Sequence, residues 1–430
     1  MSTTTAQEAA LLQPAHQWRT LWLASLGGAL EFYDFVIFVF FTGVIGKLFF
    51  AADLPDWVRQ LQVFGIFAAG YIMRPLGGIV MAHFGDKRGR KQMFMLSVLL
   101  MAAPTLAIGL LPTYQSIGVA APLLLLAMRL IQGIAIGGEA PGGWVFVAEH
   151  AGHGRSGLAV GLLTSGLTLG IFLGSLIATL MNLSFTPTQI ASGWWRLPFL
   201  IGGVFGFIAM WLRRWLAETP VFEAMHKRAA LSKDVPLMVV FKDHRRAVLI
   251  SFACTWTLTA GLVVLILMTP ALLQNSFGLS PAHTQIANLA GTAALGLSTL
   301  LVGIAADRFG IRRVAIPAFG LMIAGTYALY VGAARTPDAL VPLYALAGLG
   351  AGAVVLTPIV MVRLFPSPVR FSGVSLSYNV PYALIGGLTP LLVAWLSHFD
   401  RMAPAHYVVA TIFIGAVAML AAPLRDRLEA

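Results

Sequence analysis

Charge is scarce in this 430-residue sequence: Asp, Glu, Lys and Arg together make up 10% of it, where a soluble domain carries about a quarter. That scarcity excludes a water-dominated exterior. There is one cysteine, Cys254, inside an apolar run, so a disulfide, zinc or iron–sulfur framework cannot form within the chain. The nine histidines lie at links, run ends or termini. With no His–acid cluster, neither a metal centre nor the base of a membrane-embedded enzyme is available, and no cofactor is expected. Acids are fewer than bases, giving a formal net charge of +11. The bases sit in short links instead of forming a patch on a soluble fold, which excludes nucleic acid as a partner. The first apolar run is not expected to be a cleavable leader, because it is too long, contains acids and is followed by more runs like it.

What the sequence has in abundance is apolar residues, 58% of the total. They fall into runs of about 20, each long enough to cross a hydrocarbon core of roughly 30 Å as a helix. Twelve such spans follow one another, from roughly 20–47 to roughly 405–424. The expected fold is an all-α polytopic membrane protein in two six-helix halves, with the bilayer as its surroundings. A tail (1–19), a first bundle (20–216), a linker (217–246), a second bundle (247–424) and a tail (425–430) complete the division, with a short surface helix expected near "FEAMHKRAA". If the N-terminus is cytoplasmic, the cytoplasmic links hold 21 of the 28 Lys and Arg residues. The positive-inside rule then places both termini in the cytoplasm and the chain in the plasma or inner membrane.

A repeat relates the halves. "GDKRGRK" from Gly85 follows the second span and "ADRFGIRR" from Ala306 follows the eighth. Asp86 aligns with Asp307, Gly89 with Gly310 and Lys91 with Arg312. Parallel six-span halves with a recurring loop are the mark of a carrier that rocks about a midplane site. Gly85, Asp86, Arg88, Gly89, Arg90, Lys91, Asp307, Arg308, Gly310, Arg312 and Arg313 form a candidate latch: the acid can sit at the end of a neighbouring helix while glycine permits the tight turn.

Only five charged residues fall clearly inside spans, and all are in the first half: Glu31, Asp34, Arg74, Arg129 and Glu139. A buried charge costs several kcal/mol unless paired or hydrated, so these residues are expected to line a cavity or partner one another. Glu31 and Asp34 lie three residues apart on one helical face, about 4.5 Å along the axis. Mutual repulsion and desolvation both favour a protonated member, which suits the pair to proton carriage. Phe35 and Phe38 extend that face as an apolar wall. Arg74 lies roughly 18 Å along its helix from Asp86, near the midplane. Static pairing of Arg74 and Arg129 with Asp34 and Glu139 fits the same pattern and stays open. The second half offers neutral groups: Trp256, Tyr378, Asn379 and Tyr382, with Pro358 and Pro381 interrupting helical hydrogen bonds nearby.

The loop "AHFGDKRGRK", echoed as "GIAADRFGIRR", resembles the marker loop of the major facilitator superfamily, with Lys87 and Ile311 as departures. "ALEFYDF", "GYIMRPLGG", "RLIQGIAIGGE", "EH" at 149–150, "WWRLPF", "ETPVF" and "LFPSPVRFSGVSLSYN" together resemble its metabolite:proton symporter family. This resemblance implies the major facilitator fold and proton-coupled uptake of a small polar molecule by a monomer. It also implies proton coupling through Glu31, Asp34, Arg129 and Glu139, the proton being the only coupling ion. Substrate contacts are expected from Arg74, Arg129, Trp256, Tyr378, Asn379 and Tyr382. An organic acid is the leading substrate expectation, because two midspan arginines suit a carboxylate. Proline or betaine is the alternative, with an ammonium held by Glu31 or Asp34 and by the Trp256 ring, although the short tail after Arg425 weighs against an osmoprotectant carrier. A drug-export antiporter is disfavoured because "SGLTLGIFLGS" in span five lacks a Gly-Pro pair, and a passive channel would not need the repeated loop. Glu31→Gln is expected to abolish uphill uptake while leaving counterflow partly intact; unaltered proton-driven uptake in proteoliposomes would remove Glu31 from the mechanism.

Overall fold

The structure is a computed structural model that describes residues 14–151, 154–215 and 236–424. Every regular element among them is helical. The first bundle comprises α1 (Pro14–Phe40), α2 (Asp56–Arg88), α3 (Arg90–Leu110), α4 (Ala120–His150), α5 (Ser156–Ser184) and α6 (Arg196–Arg213). The second comprises α7 in three consecutive segments (Arg245–Thr259, a π-helical Ala260–Met268, and Thr269–Phe277), α8 (Pro281–Phe309) and α9 (Ile311–Arg335). It continues with α10, again in three segments (Leu340–Ala351, a 3-10 turn Gly352–Val355, and Leu356–Leu364), then α11 (Arg370–Ser397) and α12 (Ala403–Leu420). Eleven of these are long and apolar enough to span a membrane, and a pair bent by 51°, Pro187–Trp194 with Arg196–Leu212, makes the twelfth.

Several expectations are refined. The first span does not run unbroken to residue 47: the helix stops at Phe40 and resumes as Thr42–Phe49. In α10 the irregular turn Gly352–Val355 precedes Pro358. Proline has no N–H to offer the carbonyl four residues back and its ring crowds that carbonyl, so the ladder loosens ahead of the proline. Pro381, by contrast, lies within a continuous α11. The longest irregular stretch, Ala260–Met268, contains no proline. Side chains also bond its carbonyls: Thr269 Oγ1 donates to Val264 O, Tyr344 Oη to Leu265 O and Asn288 Nδ2 to Ile266 O, at 2.7, 2.6 and 2.8 Å. The expected surface helix at 222–230 and the tail 425–430 lie outside the described residues, while Pro236–Asp243 forms a short helix at the end of the linker.

In hydrocarbon, where helices gain little by hiding apolar surface from one another, close backbone approach and interhelical hydrogen bonds drive packing. α2 and α4 meet in this way. A Cβ on Gly133 would collide with the Gly70 carbonyl, and one on Gly137 with the Arg74 carbonyl. This approach brings Arg74 and α4 to the same level. The two bundles then touch mainly through α2 with α11 and α5 with α8. Gly137→Leu is expected to destabilise the fold by about 1–3 kcal/mol through overpacking, read as a lowered thermal unfolding midpoint in detergent. Gly43, which has nothing within 4 Å of its Cβ position, serves as the control; Gly43→Leu should leave the midpoint unchanged.

Candidate functional site

At the face that carries the basic links, the two repeated loops do the same thing. Gly89 and Gly310 make the turns with positive φ, 117° and 85°, a region open to glycine and strained for other residues. Each turn follows an acid that reaches across to the other bundle. Asp86 Oδ2 accepts from the backbone N–H and the hydroxyl of Ser372, at 2.9 and 2.8 Å, in the first turn of α11. Asp307 accepts from the N–H groups of Gly157 and Leu158, at 2.8 and 2.7 Å, in the first turn of α5. A carboxylate is favoured there because the first N–H groups of a helix lack intrahelical acceptors and carry its positive dipole end.

Two further ion pairs reinforce this junction. Arg363 joins Asp307 at 3.0 Å and also reaches Ser156 Oγ. Arg370 joins Glu149 at 2.7 Å between α11 and α4, with both side chains almost fully buried. Glu149, Arg363 and Arg370 were not candidates from sequence, although Glu149 and Arg370 lie within the motifs "EH" and "LFPSPVRFSG". The remaining loop residues are less engaged in the crossing. Gly85 leaves room for the Phe371 ring. Arg308 covers Phe309 at 5.3 Å, Arg312 caps the Ala422 carbonyl, Lys91 is 3.5 Å from the Arg214 carbonyl, and Arg313 is exposed. The Arg88 and Arg90 side chains lie outside the described residues.

Deeper in, Arg74 is 1% exposed. Its guanidinium lies over three tyrosine rings: Tyr382 at 4.1 Å, Tyr378 at 5.2 Å and Tyr71 at 5.5 Å. Tyr71 is on α2, one turn before Arg74, while Tyr378 and Tyr382 are on α11, so the box is shared between the halves. Tyr71 and Tyr382 stack with centroids 5.7 Å apart, and Trp144 of α4 meets Tyr378 edge-on at 4.9 Å. Asn379 seals the floor by donating to the Gly137 carbonyl across the junction at 2.6 Å. A desolvated cation–π contact is worth about 2 kcal/mol. Three together approach the several kcal/mol that a buried ion loses with its water.

Arg129 repeats the arrangement within the first half. It stands over Phe38, Phe35 and Phe67 at 4.3, 5.1 and 5.3 Å, and Phe67 in turn touches Tyr71. Among the described residues no acceptor reaches Nε or Nη2 of either arginine. The static pairing of Asp34 with an arginine is therefore not what the structure contains. Asp34 is 1% exposed, has no partner within hydrogen-bond geometry among the described residues, and packs against Gly202 and Gly206 of α6 with Thr105 of α3 its nearest hydroxyl neighbour. Phe35 and Phe38 wall Arg129, not Asp34.

The structure thus brings together Arg74, Tyr378, Asn379 and Tyr382 from the sequence candidates, with Arg129 linked to them through Phe67 and Tyr71. Trp256 is engaged elsewhere, its indole N–H bonded to Tyr407 at 3.0 Å inside the second half. Glu139 is buried on α4, on the helical face that also carries Arg129 and Gln132. Glu31 lies on α1 with its side chain outside the described residues. Tyr71 and Trp144 were not expected. Tyr71 precedes Arg74 by three residues, so helical spacing alone would have placed it on the same face.

The family model described as Major Facilitator Superfamily matches residues 25–270 and 252–429. The proline/betaine transporter of Salmonella typhimurium is 30% identical over 415 residues, covering 92% of this chain and 81% of that protein. That of Escherichia coli K12 is 29% identical with the same coverage. Among solved structures, the proton:xylose symporter XylE bound to 6-bromo-6-deoxy-D-glucose has a TM-score of 0.76 at 16% identity, covering 94% of this chain and 95% of that one. The human organic anion transporter MFSD10 has a TM-score of 0.67 at 16% identity, covering 95% and 100%. Similarity at this level of identity concerns the fold alone.

The crossing hydrogen bonds generate a direct test. Asp86→Asn and Asp307→Asn are each expected to loosen the junction, read as several-fold faster maleimide labelling of a cysteine placed at buried Ser375 in a Cys254→Ala background. Labelling that stays at the parent rate would leave these acids with no part in closing this face.

Proposed function

The chain belongs to the Major Facilitator Superfamily, and from that premise we propose that it is a proton-coupled importer of a small zwitterion of the proline or betaine kind. It works by alternating access with both termini in the cytoplasm. The observation that carries this reading is the Arg74 box: a buried guanidinium with Nε and Nη2 unmet, set among aromatic faces drawn from both halves. The open N–H groups present a fork that suits a carboxylate. The surrounding tyrosines and Trp144 offer the π faces that attract a quaternary or secondary ammonium. One box thus addresses both ends of a zwitterion. The relatives named as proline/betaine transporters support this choice over the organic acid that the two arginines first suggested.

Proton carriage falls to the first half, with Asp34 the described residue best suited to it. A carboxyl group buried without donors is far cheaper as the neutral acid. The acids of the repeated loops act as a latch: they hold the cytoplasmic side shut by seating on helix N-termini of the opposite bundle, and they let go when the halves rock. An organic diacid remains the second reading because Arg129 also has two unmet groups, so two carboxylates could each find a guanidinium.

The test is uptake of radiolabelled proline, betaine and citrate into proteoliposomes with and without an inward proton gradient. Proline or betaine should accumulate only with the gradient, and collapse of the gradient should abolish accumulation. Gradient-driven citrate uptake would favour the second reading, and accumulation indifferent to the gradient would sink proton coupling. Arg74→Lys keeps the charge but loses the planar fork and its stacking. It should lower apparent affinity by about tenfold or more, roughly 1.4 kcal/mol, whereas Tyr382→Phe, which keeps the ring, should cost far less than Tyr382→Ala.

A further inference from the structure

Arg129 and Asp34 do not touch, yet two side chains lie between them. Arg129 Nη1 donates to Gln132 Oε1 at 2.8 Å, and Gln132 Nε2 donates to Thr105 Oγ1 at 2.7 Å. Thr105 gives its own hydroxyl proton to the Met101 carbonyl at 2.9 Å. Asp34 stands next to Thr105: Gly202 of α6 faces Asp34 Oδ1 and Thr105 Cγ2 together, and Gly206 faces Asp34 Oδ2 and Ala102. The carboxyl group therefore occupies a slot whose α6 wall has no side chains. An acid without a donor and a guanidinium without an acceptor at Nε and Nη2 are held apart by one amide and one hydroxyl.

This arrangement suits one protonation state. While Asp34 keeps its proton it leaves only one neutral O–H unmet, a smaller cost than an unmet carboxylate, and Gln132 is free to hold Arg129 by its Oε1. When Asp34 releases that proton to water, the carboxylate left behind must recruit donors or carry the full cost of a naked buried charge. The Thr105 hydroxyl can turn from the Met101 carbonyl to the carboxylate, and the Gln132 amide can follow. Either movement shifts Gln132 Oε1 and with it Arg129. Among the described residues, the titratable or charged groups around this bridge are Tyr33 beside Asp34 on α1, Tyr71 on α2, and Arg129 and Glu139 on α4. Glu31, whose side chain is outside the described residues, precedes Asp34 by one turn. The neighbouring faces of α3, α5 and α6 contribute uncharged residues.

We propose that Thr105 and Gln132 are positioning residues that make the readiness of Arg129 for a substrate carboxylate depend on the proton carried by Asp34. The inference rests on the proton-symport reading above. It adds two neutral residues that carry the coupling between proton and substrate, neither of which binds the proton.

The test uses the reconstituted full chain and the apparent affinity for proline and betaine across mildly acidic to mildly alkaline pH. In the wild type, affinity should strengthen as pH falls by about fivefold or more, the lower end of ordinary coupling between two sites. Thr105→Val and Gln132→Leu should flatten that dependence and lose gradient-driven accumulation, while exchange without a gradient continues and reports that the protein is folded. Thr105→Ser, which restores the hydroxyl, should regain the slope. Should Gln132→Leu lose exchange, Gln132→Asn, which keeps the amide but shortens its reach, is measured in its place with the same expected outcome. A sloping wild type with equally sloping Thr105 and Gln132 variants would overturn the bridge and leave symport standing. A wild type flat across pH that still accumulates substrate with the gradient would overturn this inference alone, and one that is flat and indifferent to the gradient would overturn the symport reading with it.

Discussion

A guanidinium inside hydrocarbon must have its lost water replaced, and much of the centre of this protein follows from that demand. Arg74 and Arg129 each meet it with three aromatic rings and no described carboxylate. Aromatic faces supply attraction without consuming all the N–H groups, so charge is tolerated and recognition capacity is kept. A carboxylate partner inside the protein would have satisfied the arginines and left none of these N–H groups open. Because the Arg74 box draws Tyr378 and Tyr382 from α11, the same contacts also couple the halves at that depth. Any ligand that engages Arg74 acts on the junction directly.

At the basic face the constraint is different: unsatisfied helix N-termini need acceptors, and the partner bundle supplies them. Asp86 seats on α11 and Asp307 on α5, two of the four helices through which the bundles chiefly touch. The internal repeat thereby becomes a two-fold clamp. Arg363 and Arg370, both from the second bundle, add charge beside it. These contacts are hydrogen bonds and ion pairs at an interface, not apolar burial.

Much of the fold was legible in the chain. Apolar runs of spanning length, the placement of bases in alternate links and the recurrence of Asp86 and Gly89 as Asp307 and Gly310 all follow from local chemistry, which one sequence displays in full. The candidate site was legible in part. Arg74, Tyr378, Asn379 and Tyr382 were identified by type and depth and are found together. The partners of the charges were not. Spacing placed Asp34 on a face with Phe38 and left an arginine as its companion, yet the structure turns Asp34 toward the bare α6 wall at Gly202 and Gly206. Trp256 was chosen as an aromatic at midspan, but Tyr407, 151 residues away, holds its indole.

Sequence by itself determined the solvent of this protein, its helical class, its two-fold repeat and the small number of charges that hydrocarbon must accommodate, because each depends on residue type and on spacing within one helix. Tertiary structure alone decided which charge meets which neighbour. The crossing of α2 with α4 and α11 makes Arg74 a shared centre of the two halves, and the approach of α3 and α4 inserts Thr105 and Gln132 between an acid and an arginine. Such contacts depend on helix rotation and approach to within a few ångströms. Those are set by glycine seams and side-chain shapes on several helices at once, a relation that no single stretch of chain contains.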